Sequence, residues 1–240
     1  LVLKKIFFII FFLATVFCKL SFASQIYDYQ TDKFIEKINS IILSVNSYDQ
    51  KINFKIISDE FPNAFVTENN TLFLTSGLII HSPDYVSLLA VIAHEIGHLE
   101  KYHVTKRKNE IKDLKNINSI GSIVAIAGSM IMQQPELINS IILNETAMNN
   151  LYLNFTQDQE KEADIYSVDT LEKLNLPNDS IKKFLKILES NARLNNIDKE
   201  LKKFSTHPLF TERIEIIDNK KITENNSFDQ NLENEFKFIK

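Results

Sequence analysis

The stretch His94-Glu95-Ile96-Gly97-His98 decides how the rest of the chain is interpreted. In a helix, His94 and His98 lie one turn apart on the same face, where two imidazoles can bind one zinc ion. Glu95 lies about 100° further around the helix axis, so its carboxylate can accept a proton from a water that the metal activates. The spacing therefore predicts a zinc peptidase, provided that the segment is helical and a third ligand lies downstream. The alternative is an exposed helix face with two histidines and a glutamate.

A second helical stretch, from Phe155 to about Leu174, offers candidates for the third ligand. Glu160 and Asp164 are one turn apart on one face of this helix, and Glu162 is on a different face. A carboxylate from a separate helix would complete a three-residue site and leave the fourth coordination position for water. Asp164 would then hold the far ring nitrogen of a ligating histidine. A solvated acidic first turn is the alternative interpretation of the same residues.

The chain resembles the gluzincin peptidases of the HtpX, CAAX prenyl protease and BepA group over roughly residues 30–218. Four motifs in the same order carry the resemblance: Asn63-Ala64-Phe65 with Leu72–Leu78, His94-Glu95-Ile96-Gly97-His98, Glu160-x-Glu162-Ala163-Asp164, and Thr206-His207-Pro208 with Arg213-Ile214. BepA-type proteins also carry a helical-repeat domain after the peptidase, and no repeat unit of that kind is expected within these 240 residues. Four ordered motifs make the resemblance much more specific than the pentapeptide alone.

The resemblance implies that His94, His98 and Glu160 bind one zinc ion per chain and that Glu95 is the general base. It also implies that Asp164 contacts a ligating histidine from outside the ligand group. These assignments agree with the helical spacing of the two motifs.

Three further residues receive expected places from the resemblance. His207 and Arg213 would lie near the metal, where they would stabilise the oxyanion or transiently fill the open coordination position. His103 falls near a position where many relatives carry a histidine or a basic residue, and we expect it to be a surface residue of its helix.

The expected fold is α+β and mostly helical, the gluzincin minimal metallopeptidase fold, with a small antiparallel sheet beside the metal helix. Strands are predicted at Asn53–Ile57, Ala64–Thr67 and Thr71–Leu74, the last two joined as a hairpin. An edge strand near Leu72–Thr75 would bind substrate by adding a strand to the sheet. Helices are predicted at Thr31–Val45 with Thr31 as cap, from the Ser82 cap to about His103, and at Asn178–Asn195.

The first residues predict a signal peptide at 1–23, with Lys4 and Lys5 before an apolar run that ends near Phe17. The run is short for a spanning helix, and an uncleaved anchor is the alternative. Cys18, the single cysteine, lies in this segment, so no disulfide partner is expected. Residues 24–218 would form the peptidase domain, and residues 219–240 a polar tail that is loose or weakly helical.

The composition of the chain limits the classes of binding partner that we expect. The formal net charge of −4 argues against nucleic acid or an anionic membrane surface as a binding partner. Residues Ile120–Met132 form an apolar run that is too short to span a bilayer. A buried core helix is favoured there, and a lid or peripheral membrane contact is the alternative.

The expected function is that of an exported, periplasmic zinc endopeptidase that hydrolyses unfolded or misassembled proteins in quality control of periplasmic or outer-membrane proteins. A periplasmic chaperone with a latent or structural zinc site is the first alternative. A zinc hydrolase that acts on another substrate, such as a cell-wall peptide, is the second. Glu95 argues against a purely structural site, because such sites are usually closed by four protein ligands and need no base.

Overall fold

The structure, a computed structural model, describes residues 25–67, 69–116, 155–194, 211–219 and 228–240. The elements within these ranges are β1 (Gln25–Ile26), α1 (Tyr29–Val45), β2 (Asn53–Ile57), β3 (Ala64–Thr67), β4 (Thr71–Thr75), α2 (Ser76–His81), α3 (Tyr85–Glu100), α4 (His103–Asn116), α5 (Gln157–Lys173), α6 (Asp179–Leu194), α7 (Thr211–Asn219) and α8 (Gln230–Ile239). The predicted α+β, mostly helical fold is confirmed.

The four strands form one sheet in the order β1-β2-β4-β3. The β3–β4 hairpin is antiparallel as expected, and β1, a strand that was not predicted, also pairs antiparallel with β2. The β2 and β4 strands are parallel, so the sheet is mixed. The difference arises because the β3–β4 hairpin joins the sheet through its second strand, which runs in the same direction as β2.

The strand predicted to lie at the edge, near Leu72–Thr75, is in fact central. β4 is paired on both sides, by β2 and by β3, and it buries Leu72 and Leu74 completely. Its backbone groups are therefore already used in the sheet, and the prediction of an edge strand there was wrong. Among the described strands, β1 and β3 form the two edges of the sheet.

The helix α1 begins at Tyr29, two residues before the predicted start, because Asp28 and not Thr31 is its cap. The Asp28 carboxylate accepts hydrogen bonds from the Thr31 backbone N–H at 2.8 Å and from the Thr31 hydroxyl at 2.6 Å. Aspartate is a strong N-cap residue because it satisfies free N–H groups of the first turn. The inner face of α1 packs on the core through Ile35, Ile38 and Ile42.

The helix α3, which carries the pentapeptide, is capped by Asp84 and not by Ser82 as predicted. The Asp84 carboxylate accepts a hydrogen bond from the Ser87 backbone N–H at 2.8 Å, and the Ser87 hydroxyl completes a capping box. Ser82 is instead the C-cap of the preceding helix, and its backbone N–H donates to the Leu78 carbonyl at 3.0 Å. The residue that the sequence pattern assigned to the start of α3 therefore terminates the short helix α2.

The helix α3 ends at Glu100, earlier than the expected end near His103. Tyr102 has a φ of 58°, a left-handed conformation that is uncommon for residues other than glycine and that interrupts the helix. The helix α4 then begins at His103 in a new direction. This break turns His103 back toward α3 and α5.

The most extensive helix pairing among the described elements joins α3 to α5. Gly97 lies where the two helices touch: a Cβ there would come within 3.0 Å of the Tyr166 Cβ and 3.2 Å of the Ala163 Cα. The absence of a side chain at Gly97 therefore permits the close approach of the two helices. This approach brings the histidines of α3 within reach of the carboxylates of α5.

The chain's last residues are more ordered than expected. The segment predicted to be a polar tail, loose or weakly helical, contains the helix α8, which buries Leu232 and Phe236. Glu233 accepts a hydrogen bond from the Tyr85 backbone N–H at 3.1 Å, at the start of α3. Leu232 and Phe236 are four residues apart, the spacing of one apolar helix face, but the polar residues around them obscured this pattern.

Several predictions lie outside the described residues: the signal peptide at 1–23, the apolar run at Ile120–Met132, and His207. In the part of the chain that the structure describes, every helix is too short or too polar to span a bilayer.

Candidate metal centre

Two helices bring three potential ligands together. His94 and His98 project from α3, and Glu160 projects from the first turn of α5; all three are buried. The two Nε2 atoms are 3.1 Å apart, and the Glu160 carboxylate lies 3.4 Å from His94 Nε2 and 3.5 Å from His98 Nε2. One ligand atom from each residue falls within 4.8 Å of the others. The structure thus brings together the three residues that the sequence predicted as metal ligands.

The outer nitrogen of His94 contacts Asp164. The Asp164 Oδ1 lies 2.9 Å from His94 Nδ1, the contact that the sequence predicted for this carboxylate. Burial alone would raise the pKa of Asp164, but the charge of Arg213 and the hydrogen bond from His94 lower it below its usual value. Asp164 is therefore an ionised acceptor for the hydrogen on His94 Nδ1.

Arg213 lies near the ligand group but faces Asp164. Its Nε and Nη2 donate to the two Asp164 carboxylate oxygens at 2.7 and 2.8 Å, and its Nη1 is 3.5 Å from Glu160 Oε2. Only 6% of Arg213 is exposed. Such a two-point arginine–carboxylate pair holds a fixed geometry. Arg213 thus lies near the ligand group, as expected, with its guanidinium directed at Asp164 and Glu160; its oxyanion-stabilising role stays a prediction.

The outer nitrogen of His98 contacts His103, a residue predicted to be on the surface. His103 is in fact fully buried. Its Nδ1 lies 3.0 Å from His98 Nδ1, and its Nε2 lies 2.8 Å from Glu162 Oε2. The prediction failed because helical spacing alone could not show that the break at Tyr102 returns His103 to the site. Glu162, on another face of α5 from Glu160, was likewise missed.

The electrostatics of this contact differ from those around Asp164. Burial lowers the pKa of His103, although Glu162 opposes this effect. The hydrogen bond from His103 in turn lowers the pKa of Glu162. These shifts favour a neutral imidazole at His103 and an ionised carboxylate at Glu162.

Phe155, just before α5, completes the surroundings of His98. Its ring is stacked on the His98 imidazole, with the ring centroids 3.7 Å apart and an interplanar angle of 16°. The sequence placed Phe155 at the start of a helical stretch but gave it no role in the site. A flat apolar contact of this kind restricts the ring to one plane.

The hydrogen-bond pattern fits a bound cation. Because the Nδ1 atoms of His94 and His98 face outer partners, their Nε2 atoms face each other and the Glu160 carboxylate. Neutral imidazoles that donate from Nδ1 place Nε2 lone pairs in that shared space. Two lone pairs and a carboxylate directed at one point form the donor set of a metal-binding site.

Glu95 follows His94 on α3 and is also buried, with 1% of its surface exposed. Burial of the Arg213 guanidinium lowers its pKa, but the charges of Asp164, Glu160 and Glu95 together raise that pKa above its usual value. The structure therefore places the predicted general base in the same buried cluster as the three candidate ligands.

Comparison with known proteins agrees with this geometry. Residues 29–221 match Peptidase family M48, and this span includes every helix that contributes to the site. The chain belongs to peptidase family M48. The family membership confirms the resemblance that four sequence motifs carried. It also agrees with a group of buried histidines and a carboxylate that can bind a metal.

The chain is similar to several curated relatives. It is 25% identical over 193 residues to the beta-barrel assembly-enhancing protease of Yersinia pestis, covering 80% of this chain and 39% of the relative. It is 25% identical over 177 residues to the protease of that name from Escherichia coli K12, covering 72% and 35%. It is 34% identical over 131 residues to the metalloprotease LoiP of Escherichia coli K12, covering 54% and 48%. The matches span less than half the length of these relatives.

Proposed function

We propose that this M48 member is a zinc-dependent endopeptidase. The observation that carries the proposal is the approach of His94 Nε2, His98 Nε2 and the Glu160 carboxylate to within 4.8 Å of one another, with Glu95 buried beside them on α3. Two imidazoles and one carboxylate are a donor set that zinc accepts in catalytic sites, where a fourth position is left open. The proposal is one zinc ion per chain, held by these three residues.

In the proposed reaction, a bound zinc ion supplies a Lewis acid that makes water a stronger nucleophile near neutral pH. Glu95 accepts the proton of the attacking water and passes it to the leaving amine. Asp164 holds the His94 ring, and Arg213 holds Asp164, so both are positioning residues. His207, outside the described residues, is kept as the candidate donor to the oxyanion that forms on the substrate carbonyl.

The proposed substrates are unfolded or misassembled proteins, a proposal supported by the names of the assembly-enhancing relatives. Among the described strands, β3 has a free edge and packs beside α3, so it replaces β4 as the strand to which an extended peptide would add. Strand addition reads mainly backbone groups and therefore suits varied sequences. Export through residues 1–23 and a periplasmic location remain part of this proposal.

The test is hydrolysis of unfolded casein by the zinc-loaded full chain, with Glu95→Gln beside it. We expect Glu95→Gln to keep one zinc per chain and to lose hydrolysis, because the amide cannot accept a proton. Glu100→Gln is the matched control, since Glu100 is an exposed carboxylate on the same helix, and it should cleave like the wild type. Full activity in Glu95→Gln would remove Glu95 from the mechanism.

A second variant separates catalysis from metal binding. Glu160→Ala should lose zinc, whereas Asp158→Asn, which changes an exposed carboxylate in the same helical turn, should retain it. Unchanged zinc content in Glu160→Ala would remove Glu160 from the ligand set. If the wild type binds zinc but does not cleave casein, the chaperone alternative is favoured.

A further inference from the structure

A chain of three side chains leads outward from the ligand group on the His98 side, from two buried histidines to a partly exposed carboxylate. His98 Nδ1 is 3.0 Å from His103 Nδ1, and His103 Nε2 is 2.8 Å from Glu162 Oε2. His98 and His103 are fully buried, whereas 53% of the Glu162 side chain is exposed. The three residues come from α3, α4 and α5, so only the tertiary structure brings them together.

The hydrogen atoms in this chain can be placed by elimination. The Glu162 carboxylate is an acceptor, so the His103 Nε2 atom that faces it must carry a hydrogen. The Nδ1 of a neutral His103 then has a lone pair, and the His98 Nδ1 atom that faces it must carry a hydrogen in turn. His98 is left with its lone pair on Nε2, the atom that faces His94 Nε2 and the Glu160 carboxylate.

The opposite arrangement, with the His103 hydrogen on Nδ1, is unfavourable both at the contact with Glu162 and at the ligand group. A hydrogen on His103 Nδ1 instead of Nε2 would place a lone pair of Nε2 2.8 Å from a carboxylate oxygen. It would also oblige His98 to carry its hydrogen on Nε2, directed into the ligand group, where it would block coordination. The contact with Glu162 therefore determines which nitrogen of His98 is available to a metal.

We propose that His103 and Glu162 are positioning residues that hold His98 with its hydrogen on Nδ1 and its Nε2 directed at the metal. The inference rests on the proposed metal site and assigns to His98 a support that corresponds to Asp164 and Arg213 behind His94. Phe155 fixes the plane of the His98 ring by stacking, and His103 fixes the direction within that plane. Outer partners of this kind typically contribute 10–100-fold to metal affinity or activity.

The experiment measures the zinc dissociation constant of the full chain by competition with a chromophoric chelator. We expect His103→Leu to bind zinc about 10–100-fold more weakly. His103→Asn should restore most of the affinity, because its side-chain oxygen can occupy the place of Nδ1 and accept from His98. Glu162→Gln should weaken binding less than His103→Leu, since the amide oxygen still accepts from His103. Lys161→Gln, a change at an exposed neighbour of Glu162, should bind zinc like the wild type.

A second readout separates positioning from general support of the fold. In the zinc-free protein, ¹⁵N NMR of the imidazoles should show the His98 hydrogen on Nδ1 in the wild type and in His103→Asn. It should show a mixture of tautomers in His103→Leu. A purely structural role would lower the unfolding temperature of zinc-free His103→Leu while leaving the tautomer and the zinc affinity unchanged. If His103→Leu does not fold, Glu162→Ala, which removes the acceptor for His103 Nε2, decides by the same two measurements.

The results distinguish this inference from the proposed function. Absence of zinc binding by the wild type would overturn the proposed metal site, and with it the inference. Tight zinc binding by the wild type, with unchanged affinity in His103→Leu and Glu162→Gln, would overturn the inference alone. A wild-type His98 with its hydrogen on Nε2 would overturn it as well.

Discussion

The two histidines of the metal centre are supported from opposite sides by different chemistry. Behind His94, Asp164 and Arg213 form a buried ion pair with two hydrogen bonds of 2.7 and 2.8 Å. Behind His98, a buried neutral imidazole leads to Glu162, whose side chain is 53% exposed. Both supports accept a hydrogen from Nδ1, and both leave Nε2 facing Glu160. The two histidines thus have the same orientation, although a buried charge pair supports His94 and a single, partly exposed charge supports His98 through His103.

The difference has an energetic consequence. A buried ion pair depends on both partners, because removing one leaves a charge without compensation in a medium of low polarity. A partly exposed carboxylate keeps access to water, so removing its partner costs little. We therefore expect the Asp164–Arg213 support to contribute strongly to folding. The His103–Glu162 support should affect zinc binding more than it affects the stability of the metal-free fold.

The largest expected effect comes from breaking the buried pair. Arg213→Met should lower the free energy of unfolding of the zinc-free protein by about 3–5 kcal/mol, because Asp164 and Glu160 then lack their cation. Urea unfolding of the metal-free chain measures the change. The double variant Asp164→Asn/Arg213→Met is the matched control and should recover part of the loss, since no charge is left uncompensated at that position. A loss below about 1 kcal/mol in Arg213→Met would contradict the comparison.

An intermediate effect is expected where both supports share one structural requirement, the close contact of α3 with α5. In Gly97→Ala, the added methyl group would lie 3.0 Å from the Tyr166 Cβ. Overpacking of this kind costs about 1–3 kcal/mol, and the higher helix propensity of alanine offsets about 1 kcal/mol of it. Zinc affinity should fall as well, because Glu160 moves away from both histidines. Glu100→Ala, at an exposed position of the same helix, serves as the control; a Gly97→Ala protein more stable than the wild type would contradict the prediction.

The smallest effect is expected at the exposed end of the His98 support. Glu162→Gln should change the unfolding free energy of the zinc-free protein by no more than about 1 kcal/mol, because a partly exposed charge contributes little to stability. Thermal unfolding of the metal-free chain, compared with Lys161→Gln, measures it. A loss as large as that of Arg213→Met would show that the two supports are energetically alike.

Local sequence patterns predicted much of the molecule. The strands Asn53–Ile57 and Ala64–Thr67 begin and end at the predicted residues. Their β-branched and aromatic residues favour strands and alternate with a two-residue period that marks the strand in the sequence. Helix starts were less predictable. Two acidic residues, Asp28 and Asp84, capped helices where Thr31 and Ser82 were expected. Several cap residues stood close together at each start, and the pattern could not decide which side chain would turn toward the first free N–H groups.

Long-range arrangement accounts for what the local patterns did not show. The central place of β4 depends on which strand of the hairpin meets β2, and the local pattern of each strand is compatible with either choice. The tail was predicted to be loose or weakly helical because Leu232 and Phe236 provide only a short apolar face, and the burial of that face depends on the packing of α8 against α1 and α3. The sequence motif of Arg213 placed this residue near the metal but could not show that its guanidinium contacts Asp164.

The sequence by itself determined the chemistry of the centre: His94 and His98 one helical turn apart, Glu95 between them, and Glu160 and Asp164 one turn apart on a second helix. These relations follow from the period of a single helix, which is a local property. The tertiary structure alone decided that Arg213 serves Asp164 and that His103 and Glu162 complete the surroundings of His98. Those contacts join separate helices across the break at Tyr102 and the close approach at Gly97, and they form only when the core packs.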